Sequence, residues 1–125
     1  MKKSYIIAIA LVILVAIVAY FALGDSNRPK ADYESFAKCL TNKSVKMYGA
    51  YWCPHCQNQK KEFGNAWQYV TYVECAIPDQ PGQTPACAQA GITGYPTWTF
   101  PDSSTLEGEV SFADLSQKSG CPLPG

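Results

Sequence analysis

An unbroken apolar stretch at residues 4–23 constrains the fold of this chain more than any other feature of its sequence. The stretch has no charged residue and no proline, and twenty helical residues rise about 30 Å, the hydrocarbon thickness of a bilayer. Because Lys2 and Lys3 precede it, we expect a cytoplasmic N-terminus and an exported remainder. Residues 1–24 are therefore predicted to be a single-pass membrane anchor, with a span at about 4–23.

A cleaved signal peptide is the main alternative for this leader. The sequence Ala22-Leu23-Gly24 has the small–x–small form that a signal peptidase accepts. However, the apolar region is longer than the usual 7–15 residues. A buried core helix fits less well, because the stretch has no polar face. Under either of the first two interpretations the following domain lies on the periplasmic or extracellular side, where disulfides persist.

The rest of the chain is predicted to be a linker at residues 25–31 and one small domain at residues 32–125. Beyond the leader the chain carries eight basic and ten acidic residues. This slightly acidic balance excludes nucleic-acid binding driven by basic charge.

The domain alternates helix and strand patterns. Helix patterns begin at Asp32 (as N-cap), near Cys53, at residue 86 and at Ser111, and strand patterns cover residues 44–51, 69–75, 97–100 and 105–110. A strand–helix–strand crossover, a hairpin and a final helix follow one another in this order. The order predicts an α/β fold with a mixed four-stranded sheet and helices on both faces.

The motif Cys53-Pro54-His55-Cys56 lies between a predicted strand and a predicted helix. At a helix N-terminus, unpaired backbone N–H groups and the helix dipole favour a thiolate at Cys53, and the thiolate is the nucleophile. Pro54 suits the first helical turn. Cys56, one turn later, can close a disulfide with Cys53 or resolve a mixed disulfide. His55 is expected to stabilise the thiolate further, which would make the disulfide a stronger oxidant.

Other uses of the two motif cysteines are less consistent with the spacing. A zinc site needs a second pair of closely spaced ligands, and the remaining cysteines do not provide one, so no metal site is expected. A purely structural disulfide would tie only one helical turn. A copper-handling module that uses Cys53, His55 and Cys56 remains an alternative of a different class.

The strand, the Trp-Cys-x-x-Cys motif, the helix and a Pro-Thr pair 43 residues after the first cysteine resemble the thioredoxin fold. The Pro-His dipeptide resembles the bacterial periplasmic oxidase of the DsbA type. Within residues 33–121, several segments are closer still to the thioredoxin-like domain of vitamin K epoxide reductase homologues: Phe36-Ala37-Lys38, Lys46 through Ala50, Trp52 through Gln57, Tyr72 through Cys75, and Gly91 through Trp98.

The resemblance assigns roles by position. It implies that Cys53 attacks and Cys56 resolves, and that Pro96 is a cis-proline whose neighbouring backbone pairs with an extended substrate. The aromatic residues Tyr95 and Trp52 either belong to the core or line the site and contact an apolar peptide.

Two features depart from the pattern. Thioredoxins have a buried carboxylate six residues before the first cysteine, where this chain has Met47. This favours an oxidant or carrier over a reductant. The membrane reductase bundle is not found in this sequence, so we expect a quinone-linked partner to be a separate polypeptide.

Four cysteines lie outside the motif: Cys39, Cys75, Cys87 and Cys121. They allow three pairings. A bond between Cys75 and Cys87 would clamp a proline-rich loop, and a bond between Cys39 and Cys121 would join the ends of the fold. We expect a structural role, with an electron relay as the alternative.

The sequence thus predicts a membrane-anchored, extracytoplasmic thiol–disulfide oxidoreductase. It would act on exported cysteine-containing proteins as an oxidant, and a vitamin K epoxide reductase-like or DsbB-like membrane partner would re-oxidise it. The dithiol itself carries two electrons, so no cofactor is expected. A reductase or isomerase fed by a transmembrane donor, and a plain anchored interaction domain, are the remaining alternatives.

Overall fold

The computed structural model describes residues 2–23 and 32–125, which belong to two compact units, Met1–Lys30 and Ala31–Gly125. The predicted linker at 25–31 lies outside the described residues. The elements are α1 (Lys2–Leu23), α2 (Glu34–Asn42), β1 (Lys46–Gly49), α3 (Pro54–Phe63), a 3-10 helix (Gly64–Tyr69), β2 (Tyr72–Glu74), α4 (Pro85–Gln89), β3 (Thr97–Thr99), β4 (Thr105–Glu107) and α5 (Phe112–Ser119).

Helix α1 contains the whole apolar stretch and is, among the described residues, the one helix long and apolar enough to cross a membrane. Its large aliphatic side chains are exposed within the Met1–Lys30 unit. An apolar helix with no polar face needs an apolar surrounding. The structure therefore agrees with a membrane span or a signal sequence near the N-terminus.

The second unit is built on a mixed sheet in the order β2-β1-β3-β4. Strand β1 pairs in parallel with β2 across the α3 crossover, and antiparallel with β3, which forms a hairpin with β4. The predicted crossover and hairpin are both present. The mixed four-stranded thioredoxin-like fold is confirmed.

Neighbouring residues of β1 point to opposite faces of the sheet, which separates two cores. Met47 faces a large core with side chains from α2, α3 and α5, among them Phe36, Phe63 and Leu115. Tyr48 faces a smaller core that includes Cys87 of α4. Helices therefore cover both faces, as expected.

All four strands are shorter than the sequence predicts, and β1 and β2 lose the most residues. The strand expected at 44–51 is β1, which ends at Gly49 because the chain then turns toward α3. The strand expected at 69–75 is reduced to β2, since Tyr69 completes the 3-10 helix. That helix exists because Gly64 adopts a φ of +56° and ends α3. Consequently the helix that was predicted to begin near Cys53 ends at Phe63, and Trp67 lies in the 3-10 helix.

The helix ends follow the predicted capping in part. Ser111 caps α5, because its Oγ accepts a hydrogen bond from the backbone N–H of Asp114 at 3.1 Å. At α2 the capping position is Tyr33 rather than Asp32. The Asp32 carboxylate nevertheless accepts a bond from the Glu34 N–H at 3.0 Å. The strand expected at 105–110 is shorter too, since β4 ends at Glu107.

The four cysteines outside the motif form two disulfides, Cys39–Cys121 and Cys75–Cys87. The first joins α2 to the segment after α5, and the second joins the end of β2 to α4. They close 82 and 12 residues respectively. Closures of these lengths stabilise a fold by about 3–5 kcal/mol each on the chain-entropy estimate.

Candidate active site

Cys53 is the N-cap of α3, and its backbone is extended. Its Sγ accepts a hydrogen bond from the Cys56 N–H at 3.3 Å, so one unpaired donor of the helix N-terminus points at the sulfur. A backbone N–H and the positive end of the helix dipole both favour a negative charge at this atom. The side chain is 5% exposed, which leaves a narrow approach to Sγ.

Cys56 lies one turn into α3 and is fully buried. Burial, and then its hydrogen bond with Cys53, raise the pKa of the Cys56 thiol to about 12. Both motif cysteines are free thiols in this structure. The two cysteines therefore differ, because Cys53 lies at the helix N-terminus and keeps a small exposed fraction, whereas Cys56 is fully enclosed.

Pro54 occupies the first position of α3, where its missing N–H costs no hydrogen bond. His55 is exposed and does not turn toward the two thiols. Its Nδ1 lies 2.7 Å from Glu109 Oε1, and Asn58 donates to the same oxygen at 3.1 Å. These contacts lower the pKa of Glu109. Glu109 precedes α5 and has no short-range relation to the motif, so no local sequence pattern predicted its place at the site.

The loop before β3 brings Tyr95 and Pro96 to the motif. The peptide bond between them is cis, and Pro96 is fully buried. Cys53 Sγ lies 3.7 Å from the backbone carbonyl oxygen of Tyr95, to which its thiol donates. The Tyr95 ring meets the exposed ring of Trp52 edge to face at 6.0 Å. Thus Trp52, Tyr95 and Pro96, the residues expected to contact a substrate, lie on the Cys53 side of the motif. The four disulfide-bonded cysteines lie outside the motif.

The position six residues before Cys53 holds the fully buried side chain of Met47. The neighbouring strand β2 supplies a different polar group, which no sequence motif indicated. Tyr72 Oη donates to Glu74 Oε2 at 2.7 Å, and burial raises the pKa of Tyr72. The signal in the sequence was Glu74 itself, a glutamate inside a short strand and next to Cys75. An ionisable side chain in such a position usually has a polar partner.

The arrangement suits sulfur exchange better than metal binding. Within the described ranges 2–23 and 32–125, no group of three or more His, Cys, Asp or Glu side chains is placed to hold a metal ion. A stabilised thiol at a helix N-terminus beside a buried second thiol can form and resolve a mixed disulfide.

Comparisons with known proteins agree with this chemistry. The sequence model of the Thioredoxin family matches residues 29–118. The chain is 44% identical over 109 residues to "Thiol-disulfide oxidoreductase LTO1" of Arabidopsis thaliana, covering 83% of this chain and 28% of that protein. It is 32% identical over 86 residues to "Probable protein disulfide-isomerase ER-60" of Schistosoma mansoni, covering 66% of this chain and 18% of that one.

The chain thus spans less than a third of the length of either relative. Among solved structures, thioredoxin O2 of Arabidopsis thaliana in its oxidised state is 21% identical and aligns with a TM-score of 0.33, covering 74% of this chain and 87% of that chain. The family match extends from the segment before α2 into α5 and includes the whole sheet and the motif. The chain belongs to the thioredoxin family.

Proposed function

We propose that this protein is a thiol–disulfide oxidoreductase whose reacting groups are Cys53 and Cys56. The observation that carries the proposal is the position of Cys53 Sγ, at the N-terminus of α3 and 3.7 Å from the Tyr95 carbonyl. A substrate strand that pairs with the backbone beside Pro96 would place its own sulfur against Cys53.

The exchange proceeds through two sulfur displacements. As an oxidant, the protein begins with a Cys53–Cys56 disulfide, and a substrate thiolate attacks Cys53 Sγ and releases Cys56. A second substrate thiolate then attacks the substrate sulfur of the mixed disulfide and releases Cys53 as a thiolate. The substrate pair is oxidised, the motif pair is reduced, and two electrons have moved without a bound cofactor.

The oxidising direction is supported by the helix N-terminus. A thiolate stabilised by the Cys56 N–H and by the α3 dipole makes the reduced motif more stable, and a stable reduced form corresponds to a more oxidising disulfide. The Nδ1 atom of His55 contacts the Glu109 carboxylate, so its other ring nitrogen can face solvent or a partner.

We infer the location and the partners from the leader and the motifs. Helix α1 would anchor the protein in the bilayer, with the second unit on the periplasmic or extracellular side and exported cysteine-containing proteins as substrates. The segments that resemble the thioredoxin-like domain of vitamin K epoxide reductase homologues support a membrane partner of that type, or of the DsbB type, that passes electrons to a quinone.

Trapping on Cys53 tests the activity. The Cys56→Ser variant, expressed as the full chain in membranes, should accumulate reductant-sensitive mixed disulfides with exported proteins, because Cys56 is no longer there to displace the substrate from Cys53. The matched Cys53→Ser variant should accumulate none. Equal trapping by both variants, or by neither, would contradict the assignment of attacking and resolving roles.

The reduction potential of the motif tests the direction. We expect a value well above that of thioredoxin, which is about −270 mV. Equilibration of the full chain with glutathione buffers, followed by alkylation of the free thiols, measures it. A potential near that of thioredoxin would favour the reductase or isomerase alternative.

A further inference from the structure

Resolution of a mixed disulfide by Cys56 requires that its thiol first lose a proton. Cys56 is fully buried, so bulk water does not reach its sulfur directly. Met47 lies on β1, six residues before Cys53, and faces the same core. Its side chain cannot accept a proton. A proton acceptor therefore has to come from another element.

Strand β2 supplies polar side-chain atoms close to Cys56. A methyl group added at Gly49 would lie 2.9 Å from Cys56 Sγ and 3.3 Å from Tyr72 Oη, so both atoms border the space beside this one glycine. Tyr72 Oη donates to Glu74 Oε2 at 2.7 Å. Cys56 Sγ and Tyr72 Oη thus border the same space beside Gly49, and the Tyr72 hydroxyl is hydrogen-bonded to the Glu74 carboxylate; the Cys56 thiol and the Tyr72 hydroxyl would have to approach each other in the reacting complex.

The Glu74 carboxylate is held in place by the backbone. Its Oε1 accepts hydrogen bonds from the N–H groups of Tyr51 and Ala76, at 3.1 and 2.9 Å. These two bonds leave Oε2 for the Tyr72 hydroxyl. One oxygen therefore fixes the side chain, while the other ends the chain of polar atoms that starts at Cys56.

The other titratable groups that face this chain come from α3 and the loop before β3. Lys60 Nζ lies 3.8 Å from the centroid of the Tyr72 ring, and its positive charge favours the thiolate of Cys56. Cys53 contacts Cys56 directly, and Tyr95 lies near both Cys56 and Glu74. Glu74 is the acidic group in this set, and burial keeps the Tyr72 hydroxyl neutral by raising its pKa.

We propose that Tyr72 and Glu74, here called the β2 proton pair, accept the proton of Cys56 when it resolves a mixed disulfide. The proposal rests on the proposed oxidoreductase function. The Cys56 proton passes to Tyr72 Oη while the Tyr72 hydroxyl proton passes to Glu74 Oε2. The Cys56 thiolate attacks Cys53 Sγ, the Cys53–substrate bond breaks, and the substrate sulfur leaves as a thiolate. Cys53 and Cys56 are oxidised together and the substrate disulfide is reduced.

The same atoms serve the reverse step. When a substrate thiolate opens the Cys53–Cys56 disulfide, the departing Cys56 thiolate takes a proton from Tyr72. Tyr72 takes the proton of a Glu74 carboxyl group that has been protonated from solvent, and Glu74 is left as a carboxylate. Hydrogen bonds of acid–base groups commonly tighten only in the reacting complex. The β2 proton pair therefore replaces the carboxylate missing at Met47, and the direction of net transfer is left to the reduction potential.

Rapid mixing of the reduced full chain in detergent with an excess of dithiobis(nitrobenzoate) separates the two sulfur steps. The first release of thionitrobenzoate reports attack by Cys53 and depends on reagent concentration. The second release reports resolution by Cys56 and is unimolecular. Two releases per chain verify that Cys39–Cys121 and Cys75–Cys87 stay intact, and Cys56→Ser should give one.

The informative variants are Glu74→Gln and Tyr72→Phe. Glutamine can still accept from the N–H groups of Tyr51 and Ala76 but is not a base, and phenylalanine keeps the ring under Lys60. Both should slow the second release at least tenfold at pH 7, within the range of general base catalysis, and leave the first unchanged. The wild-type rate of the second release should vary little between pH 6 and 8, whereas the Glu74→Gln rate should rise about tenfold per pH unit.

Glu107→Gln is the matched control, because it removes the same charge from β4, at the opposite edge of the sheet. It should behave as the wild type. A second release in Glu74→Gln and Tyr72→Phe that matches the control in rate and pH profile would overturn the proposal. Slowing of both releases to the same extent would also overturn it. A wild-type chain that releases no second thionitrobenzoate would instead contradict the proposed function itself.

Discussion

The two sulfurs of the motif lie one helical turn apart but face different surroundings. On the Cys53 side, a backbone N–H and the backbone carbonyl of Tyr95 approach the sulfur, and the Tyr95 ring contacts the exposed ring of Trp52. On the Cys56 side, the sulfur is enclosed and the nearby polar atoms belong to the side chains of Tyr72 and Glu74. Cys53 keeps a 5% exposed fraction and Cys56 has none, so we call the surroundings of Cys53, with Trp52, the open side and the surroundings of Cys56 the buried side.

Because of this difference, we expect substitutions near Cys53 and substitutions near Cys56 to have different effects. The backbone contacts at Cys53 cannot be removed by changing a side chain, so substitutions there alter what the site binds. Groups at Cys56 are packed against β1 and β2, so substitutions there alter both stability and the fate of the proton. The comparison fails if a change on the buried side affects only binding, or a change on the open side unfolds the protein.

The strongest test of the comparison is Gly49→Ala. Its Cβ would lie 2.9 Å from Cys56 Sγ and 3.0 Å from the Tyr72 ring, distances that require both side chains to move. Overpacking of this kind destabilises a domain by about 1–3 kcal/mol. We expect a lower urea midpoint for the reduced protein and a slower second release of thionitrobenzoate.

Gly94→Ala is the control for this change. A Cβ at Gly94 meets nothing within 4 Å, and its φ lies outside the left-handed region. This variant should keep the wild-type midpoint and release rates. If Gly49→Ala proves as harmless as Gly94→Ala, the buried side is not tightly packed around Cys56.

Trp52→Ala tests the open side and should have a smaller effect on the fold. The Trp52 side chain is 59% exposed, so its loss should change the free energy of unfolding by less than about 0.5 kcal/mol. If Trp52 contacts an apolar substrate, truncation should slow the reaction of Cys53 with an apolar disulfide-containing peptide about three- to tenfold. The Leu123→Ala variant, another exposed apolar truncation, should leave this rate unchanged. A large drop in stability for Trp52→Ala would contradict the open-side assignment.

The sequence predicted the elements and the motif wherever the signal was local. The Cys53-Pro54-His55-Cys56 segment places its first cysteine at a helix N-terminus by proline preference and spacing alone, and Ser111 signals its own helix through Asp114. Strand ends were less predictable. Aromatic and β-branched residues at 69–75 favour a strand, but the 3-10 helix that follows Gly64 takes up Tyr69.

The surroundings of the motif depend on contacts that local patterns do not encode. Glu109 meets His55 across 54 residues of sequence. The β2 proton pair reaches Cys56 only because β1 and β2 run parallel with Gly49 opposite Glu74, a register that the sequence does not specify. Met47 was visible as a departure from the thioredoxin pattern, whereas the side chains that border Cys56 required the sheet.

Glu109→Gln has the weakest expected effect. It tests whether Glu109 interacts with the exposed His55 through its charge. His55 and Asn58 lower the pKa of Glu109 in the folded protein. The stabilisation from this carboxylate is therefore present above its unfolded pKa and is lost as the pH falls through the lower folded value. Since the pair is exposed, the effect on stability should be small. The urea midpoint of Glu109→Gln should be slightly below the wild-type value at pH 6 and should reach the wild-type value near pH 3. The pH-dependent difference from the wild type should be absent in the control variant Glu107→Gln. A difference at pH 3 as large as that at pH 6 would mean that Glu109 acts through packing rather than charge.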